Sequence, residues 1–333
     1  MKISTGLKVS GCAAALVVFG VNVPASQASD IAPFKTVFAT DVAYAGLGGL
    51  RGVGNGTVGL TGVSGTVTEA LLFWHGPTNQ ADPNSNAAVT FAGTPIVGSN
   101  IGSSADNCWG FTNSQAYRAD VTSLVSGNGD YAVADFTKAG VEVNGLELVV
   151  FYDDGDQTNN RDIVMFNGND SNVSNAFDAD GWNVSLPGID YTAGAASMDM
   201  VVSDGQTFSD GSLQINAVDL DPGPQLFDGD TVPTAGGNNS GFLWDKKSYD
   251  VTPNLTPGPN TVTITHAYSN DCLSLVMAAV NLPAGAAPDQ PPTTTTTAPP
   301  TTEAPTTTAA PIQEVVVPLA AARPVAAAPR FTG

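Results

Sequence analysis

The chain has 333 residues, 42% of them apolar and only 13% charged, with 36 Gly and 23 Pro. That profile suits many short strands joined by turns and excludes an all-helical protein. Eleven Lys and Arg against 31 Asp and Glu give a formal charge of −20, which would repel a phosphate backbone or an anionic membrane and excludes nucleic-acid binding as a primary role.

Lys2 and Lys8, an apolar run from Cys12 to Val23, Pro24 and the small residues ASQAS predict a secretory signal peptide over 1–28, cleaved after Ala28. The apolar run, about 12 residues, is well short of the ~20 a membrane span requires, so no transmembrane segment is expected in the mature chain. Cleavage would lower the formal charge to −22 and leave two cysteines, Cys108 and Cys272. In an oxidising compartment their expected use is one disulfide, the alternative being two buried thiols.

Alternating apolar and polar residues then predict strands over 66–74, 88–91, 131–136, 146–152, 162–166, 197–202, 213–218, 261–266 and 273–281. Turn clusters such as GNGD, DDGDQTNN, NGNDSN, DPGP and GGNNSG separate them. Strands of this length and spacing predict an antiparallel sandwich or jelly roll.

An internal repeat organises the pattern. GFTNSQAYRADVTSLVSGNGDYAVADF, then LELVVFYDD, parallels GFLWDKKSYDVTPNLTPGPNTVTITHA, then LSLVMAAVN. In each copy an Asp-Val-Thr (Asp120, Val121, Thr122; Asp250, Val251, Thr252) precedes a Leu, a Gly and an alternating strand. The expected role is structural: the Asp accepts backbone N–H groups of the next turn, the Val points inward, and Leu124 and Leu255 plug the sandwich edge. The reading is all-β, with two related antiparallel β-sandwich halves over 29–182 and 183–287, the first preceded by extra strands between Phe34 and Leu60. A Thr/Pro/Ala-rich linker over 288–311 and a low-complexity tail over 312–333 would follow as a disordered stalk.

The Asp-Val-Thr, Leu, Gly and strand pattern resembles that of galactose-binding-like jelly rolls, ancillary modules of many glycosidases. The run from LLFWHG through VTFAGTPIVG, YRADVTSLV, LELVVFYDD and RDIVMFNGND is more similar to uncharacterised β-sandwich modules of secreted bacterial and archaeal surface proteins. That resemblance implies only the fold and a secreted, extracellular or cell-surface location, and no activity; the expected partner is a cell-envelope or extracellular one such as a polysaccharide.

For chemistry, clustered turn acids make calcium the metal to consider, with Asp153, Asp154, Asp156 and Asp162 as the best set and Asn167 to Asp170 and Asp219 to Asp230 behind it. Trp109 and Trp182 are the candidate loop aromatics for a saccharide. Asp153 with Asp162, or Asp178 with Asp180, can be drawn as an acid and base pair, while His75 and His266 have no recognised nucleophile motif beside them. Lys246 and Lys247 stand in a lysine-poor region where an isopeptide cross-link would need a neighbouring acid. The expected function is non-enzymatic, structural or adhesive. The alternatives are a carbohydrate-binding module, with or without calcium, and a carboxylate-based hydrolase.

Overall fold

The computed structural model describes residues 31–177, 181–237, 241–266 and 268–285; the predicted signal peptide, linker and tail lie outside them. Within them the chain is all-β, with two isolated 3-10 turns and no α-helix. Nine strands come first: β1 (Ala32–Leu47), β2 (Gly56–Leu60), β3 (Thr66–Thr78), β4 (Ala88–Phe91), β5 (Thr94–Val97), β6 (Ser99–Ser104), β7 (Asn113–Asp120), β8 (Gly129–Ala134) and β9 (Gly145–Asp153). Eight follow: β10 (Arg161–Ser171), β11 (Trp182–Tyr191), β12 (Ser197–Ser203), β13 (Leu213–Ile215), β14 (Val218–Asp221), β15 (Trp244–Asp250), β16 (Gly258–His266) and β17 (Ser274–Pro283).

The repeat in the sequence is a repeat of topology. In the first half β1-β9-β3-β7 faces β2-β8-β4-β5; in the second, β10-β17-β12-β15 faces β11-β16-β13-β14. Both are the strand order of a jelly roll. The segment from Phe34 to Leu60 is therefore not an extra lead, because β1 and β2 are the counterparts of β10 and β11. The second roll likewise begins topologically at Arg161, so a division after residue 182 cuts into β11. Among the described residues, β6, which pairs with β7, has no counterpart in the second half.

Side-chain alternation explains how the halves meet. On one face of β3 and β9, Leu72, Trp74, Leu148 and Val150 pack with Val58, Phe91, Tyr131 and Val133 inside the first roll. Met198, Met200, Val202 and Val280 do the same with Val184, Leu186, Leu213 and Ile264 in the second. The opposite faces, which a solitary sandwich would give to water, are apolar as well. Leu71, Phe73, Val149 and Phe151 join Ile163, Met165, Val201, Trp244 and Met277 in a third core between the rolls. The rolls are thus stacked back to back, and β1 joins their inner sheets into one continuous nine-stranded sheet, β15-β12-β17-β10-β1-β9-β3-β7-β6: Ala32–Thr40 pairs with β10 and Asp41–Leu47 with β9. Gly145 shows how close the contact is. A Cβ there would sit 2.6–2.7 Å from Trp244, so this strand start needs glycine.

The two Asp-Val-Thr turns behave alike. Asp120 Oδ1 accepts the Thr122 N–H and Asp250 Oδ1 the Thr252 N–H, each at 2.9 Å. Thr122 Oγ1 accepts the Ala70 N–H (3.0 Å) and Thr252 Oγ1 the Ala196 N–H (2.9 Å), tying one turn into β3 and the other to the residue before β12, each within its own roll. Val121 and Val251 are fully buried. The apolar plug differs from the expectation by one position. Val125, not Leu124, is the counterpart of Leu255, since both close the 3-10 turn with an N–H to the threonine carbonyl at 3.3 Å and both are buried. Thr122→Val is expected to leave the Ala70 N–H without its acceptor and to destabilise the chain by about 1–3 kcal/mol, read from the denaturant midpoint.

Candidate functional site

The loops at one end of the stacked rolls converge on Cys108 and Cys272, which form the disulfide expected from the sequence. Cys108 lies in the β6–β7 loop of the first roll and Cys272 just before β17 of the second, so the bond joins the halves covalently. Beside it is a depression of about 250 Å³ lined from both rolls, by Asn107 and Trp109 on one side and Gln206, Phe208, Asn270 and Asp271 on the other.

Its polar groups are held from beneath. The Trp109 Nε1–H donates to both Asp204 oxygens (2.8 and 2.7 Å), and the Arg51 guanidinium stacks on the indole 3.7 Å from the ring centre while reaching Asp204 Oδ1 at 3.2 Å. Burial pushes the Asp204 carboxyl well above the usual carboxylate range, with Arg51 and the Trp109 bond offsetting part of the shift. Asp271 accepts the Gln206 N–H (2.8 Å) and the Cys272 N–H (3.0 Å); burial pushes it up to about 7. Asn107, 2% exposed, accepts from Ser274 through Oδ1 at 3.0 Å, but its Nδ2 donor has no partner. A buried donor without an acceptor is costly, and Asn107 is one of the residues that line the depression.

Phe208 lines the depression, and further aromatics lie on neighbouring loops. Among the described residues the exposed aromatic side chains are Phe177 (42%), Phe208 (46%) and Tyr268 (50%), and all three sit on loops of this end. Asn172 binds the Asp271 carbonyl at 3.0 Å, tying Phe177's loop to the disulfide. The Asn270 N–H binds the Ser209 carbonyl at 3.0 Å, tying Tyr268's loop to that of Phe208.

The candidates from the sequence are separated by this geometry. Trp109 lines the depression, whereas Trp182 is 1% exposed, its ring tilted against His266 (centroids 4.8 Å apart) in the second core with its Nε1–H on the Asp170 carbonyl. Its alternating strand, not a loop, carries it inward, so it offers no face to a ligand. The acids proposed for calcium do not assemble. Asp153, Asp154 and Asp156 each accept the N–H two residues on (2.9, 2.8 and 2.9 Å), and Asp162 points into the sheet to accept the Ala39 and Gly285 N–H groups (2.8 and 2.6 Å). Among the described residues no group of three or more His, Cys, Asp or Glu is placed to hold a metal ion. The drawn pair of Asp153 and Asp162 is divided in the same way, and Asp178 and Asp180 lie outside the described residues.

A contact between the halves escaped the sequence. His75 Nδ1 lies 2.6 Å from Ser203 Oγ, which also accepts from Asn144 Nδ2 at 2.9 Å. Serine and histidine at this distance can form a nucleophile and base, but all three residues are fully buried. Burial, with the nearby Arg51 charge, lowers His75 to about 3, so the imidazole is neutral at physiological pH. The cluster acts as a polar peg between the rolls. Comparison with protein-family models, curated proteins and solved structures finds no match for this chain. Among the described residues no helix is long and apolar enough to cross a membrane.

Proposed function

We propose that this chain is a non-enzymatic adhesive protein of the cell surface or extracellular space, and that it binds a neutral saccharide at the disulfide-tied end. One observation carries the reading: the end of the rolls whose loops carry the exposed aromatics also holds a depression lined by Phe208, Trp109 and Asn107, and the Asn107 amide donor lacks an acceptor. A pyranose offers apolar C–H faces to aromatic rings and hydroxyl acceptors to an amide. The acids at this end and the chain's charge of −20 disfavour sulfated or uronic polymers. The disulfide and the absence of a membrane-crossing helix among the described residues are compatible with an extracellular location. A hydrolytic role has less support, because the buried Ser203–His75 pair has no access and the turn acids serve backbone N–H groups.

The test is a panel of neutral oligosaccharides followed by calorimetry. Phe208→Ala, on an exposed side chain, is expected to leave the fold intact and weaken binding about tenfold, or about 1.4 kcal/mol. Binding that survives both Phe208→Ala and Trp109→Phe unchanged would place the ligand elsewhere.

A further inference from the structure

Lys246 and Lys247 point to opposite faces of β15. Lys247 crosses the Phe227 ring of the second core at 5.5 Å. Lys246 faces the layer between the rolls, its ammonium 4.3 Å from the centre of the Tyr44 ring and 2.8 Å from Asp199 Oδ1. Asp199 is buried on β12, two residues before Val201, so both share the inter-roll face. In the β12–β15 ladder Lys246 pairs with Val201 and Ser248 with Asp199, making lysine and aspartate diagonal neighbours. Ser248 Oγ bonds both, at 2.7 Å to Lys246 Nζ. The same layer holds the fully buried Glu147, whose Oε2 accepts the Trp244 Nε1–H at 3.2 Å and whose Oε1 has no partner. Trp244 is two residues from Lys246, on the same face of β15. Glu147 feels both partners, attracted by Lys246 and repelled by Asp199, and burial pushes its carboxyl up to about 8.

We propose that Lys246 and Asp199 condense into an intramolecular isopeptide bond that locks the edge strand β15 to β12. A proton passes from the lysine ammonium to the aspartate carboxylate, and Nζ then attacks Cγ of the carboxylic acid. One C–N bond forms, one C–O bond breaks, and the departing oxygen leaves as water with two protons that were on nitrogen. Nothing is oxidised or reduced, and no co-reactant is required. Glu147, in the same inter-roll layer and electrostatically coupled to both groups, relays the proton that the leaving oxygen needs, and the fold holds the lysine and the aspartate at contact, which supplies the effective concentration. This proposal is independent of the saccharide site.

Mass spectrometry of the secreted, full-length chain tests it. No Lys or Arg lies between Arg161 and Lys246, so after reduction and denaturation trypsin should release both partners in one peptide, 162–247, uncut after Lys246 and lighter by one water. Lys246→Arg and Asp199→Ala, each shown to be folded by near-UV circular dichroism, should both restore the mass of the water. Glu147→Gln should leave most folded chains unlinked, and complete cross-linking in that variant would overturn the relay. A wild-type peptide of full mass, cut after Lys246 and open to amine reagents there, would overturn the bond itself.

Discussion

Replacing Cys108 and Cys272 together by serine is expected to lower stability by about 5 kcal/mol at most, the loop-entropy value for a cross-link of this length, with native-state effects reducing it. The bond spans 164 positions and is the covalent link between the β6–β7 loop of one roll and the start of β17 in the other. The double variant should therefore show a denaturant midpoint well below that of the parent. Its loops should also open before the cores, because the Asn172, Gln206 and Asn270 hydrogen bonds remain as their noncovalent ties. An unchanged midpoint would mean that the packing between the rolls already sets the geometry of this end.

Stability should fall as pH rises from about 6.5 to 8, and Glu147→Gln should remove much of the fall. Glu147 has an ordinary value of 4.5 and is raised by burial to about 8. Between those values the folded chain keeps a proton that the unfolded chain has lost. Unfolding then releases a proton, so raising the pH favours it. Asp204 and Asp271 act in the same direction. His75 and His266, lowered by burial to about 3 and about 4 from 6.5, act the other way: the unfolded chain gains their protons as pH falls below 6.5, so acid destabilises. Above 6.5 the histidines no longer contribute, and the carboxyl effect stands alone. Glu147 should contribute on the order of 2 kcal/mol across this window, measured as the difference in pH slope between parent and variant by denaturant unfolding at each pH. Equal slopes would show that Glu147 ionises normally and that the inter-roll layer is wet.

Much of the fold was legible because the repeat writes it twice. Asp120 and Asp250 with their threonines carry the same hydrogen bonds in both copies, and strands such as β9 and β17 are continuous apolar runs. β7 and β15 were harder to read. NSQAYRAD and WDKKSYD are mostly polar, yet Gln115, Ser114 and Asp245 are buried, because polar groups at the loop end and between the rolls are satisfied by distant partners. β11 alternates, with Trp182, Val184 and Leu186 inside, but Pro187 and Gly188 interrupt it at a bulge. The expected partition also failed to foresee that the outward faces of two sandwiches would be buried against each other. Leu71, Phe73, Val149 and Phe151 held that signal, since within the strands predicted over 66–74 and 146–152 these positions are apolar on the face opposite Leu72, Trp74, Leu148 and Val150.

The candidate site was less legible for a related reason. Trp109 and the cysteine pair were visible as residue types, but Asp204, Arg51, Asn107 and Phe208 reach the site from loops far apart in sequence. Acid clustering pointed to calcium because Asp and Asn are frequent both in ion sites and in turns, and here the backbone takes the carboxylates.

Of the four tryptophans, Trp74, Trp182 and Trp244 are fully or almost fully buried, and Trp109 alone is partly exposed. Quenching of tryptophan fluorescence by acrylamide therefore reports on the depression. The most direct measurement is this quenching with and without neutral oligosaccharides, on the parent chain and on Phe208→Ala. Saturable protection of Trp109 by a neutral saccharide, weakened in Phe208→Ala, is the expected result. Unchanged quenching with every saccharide, in a chain shown to be folded, would contradict the assignment of this end as a saccharide site.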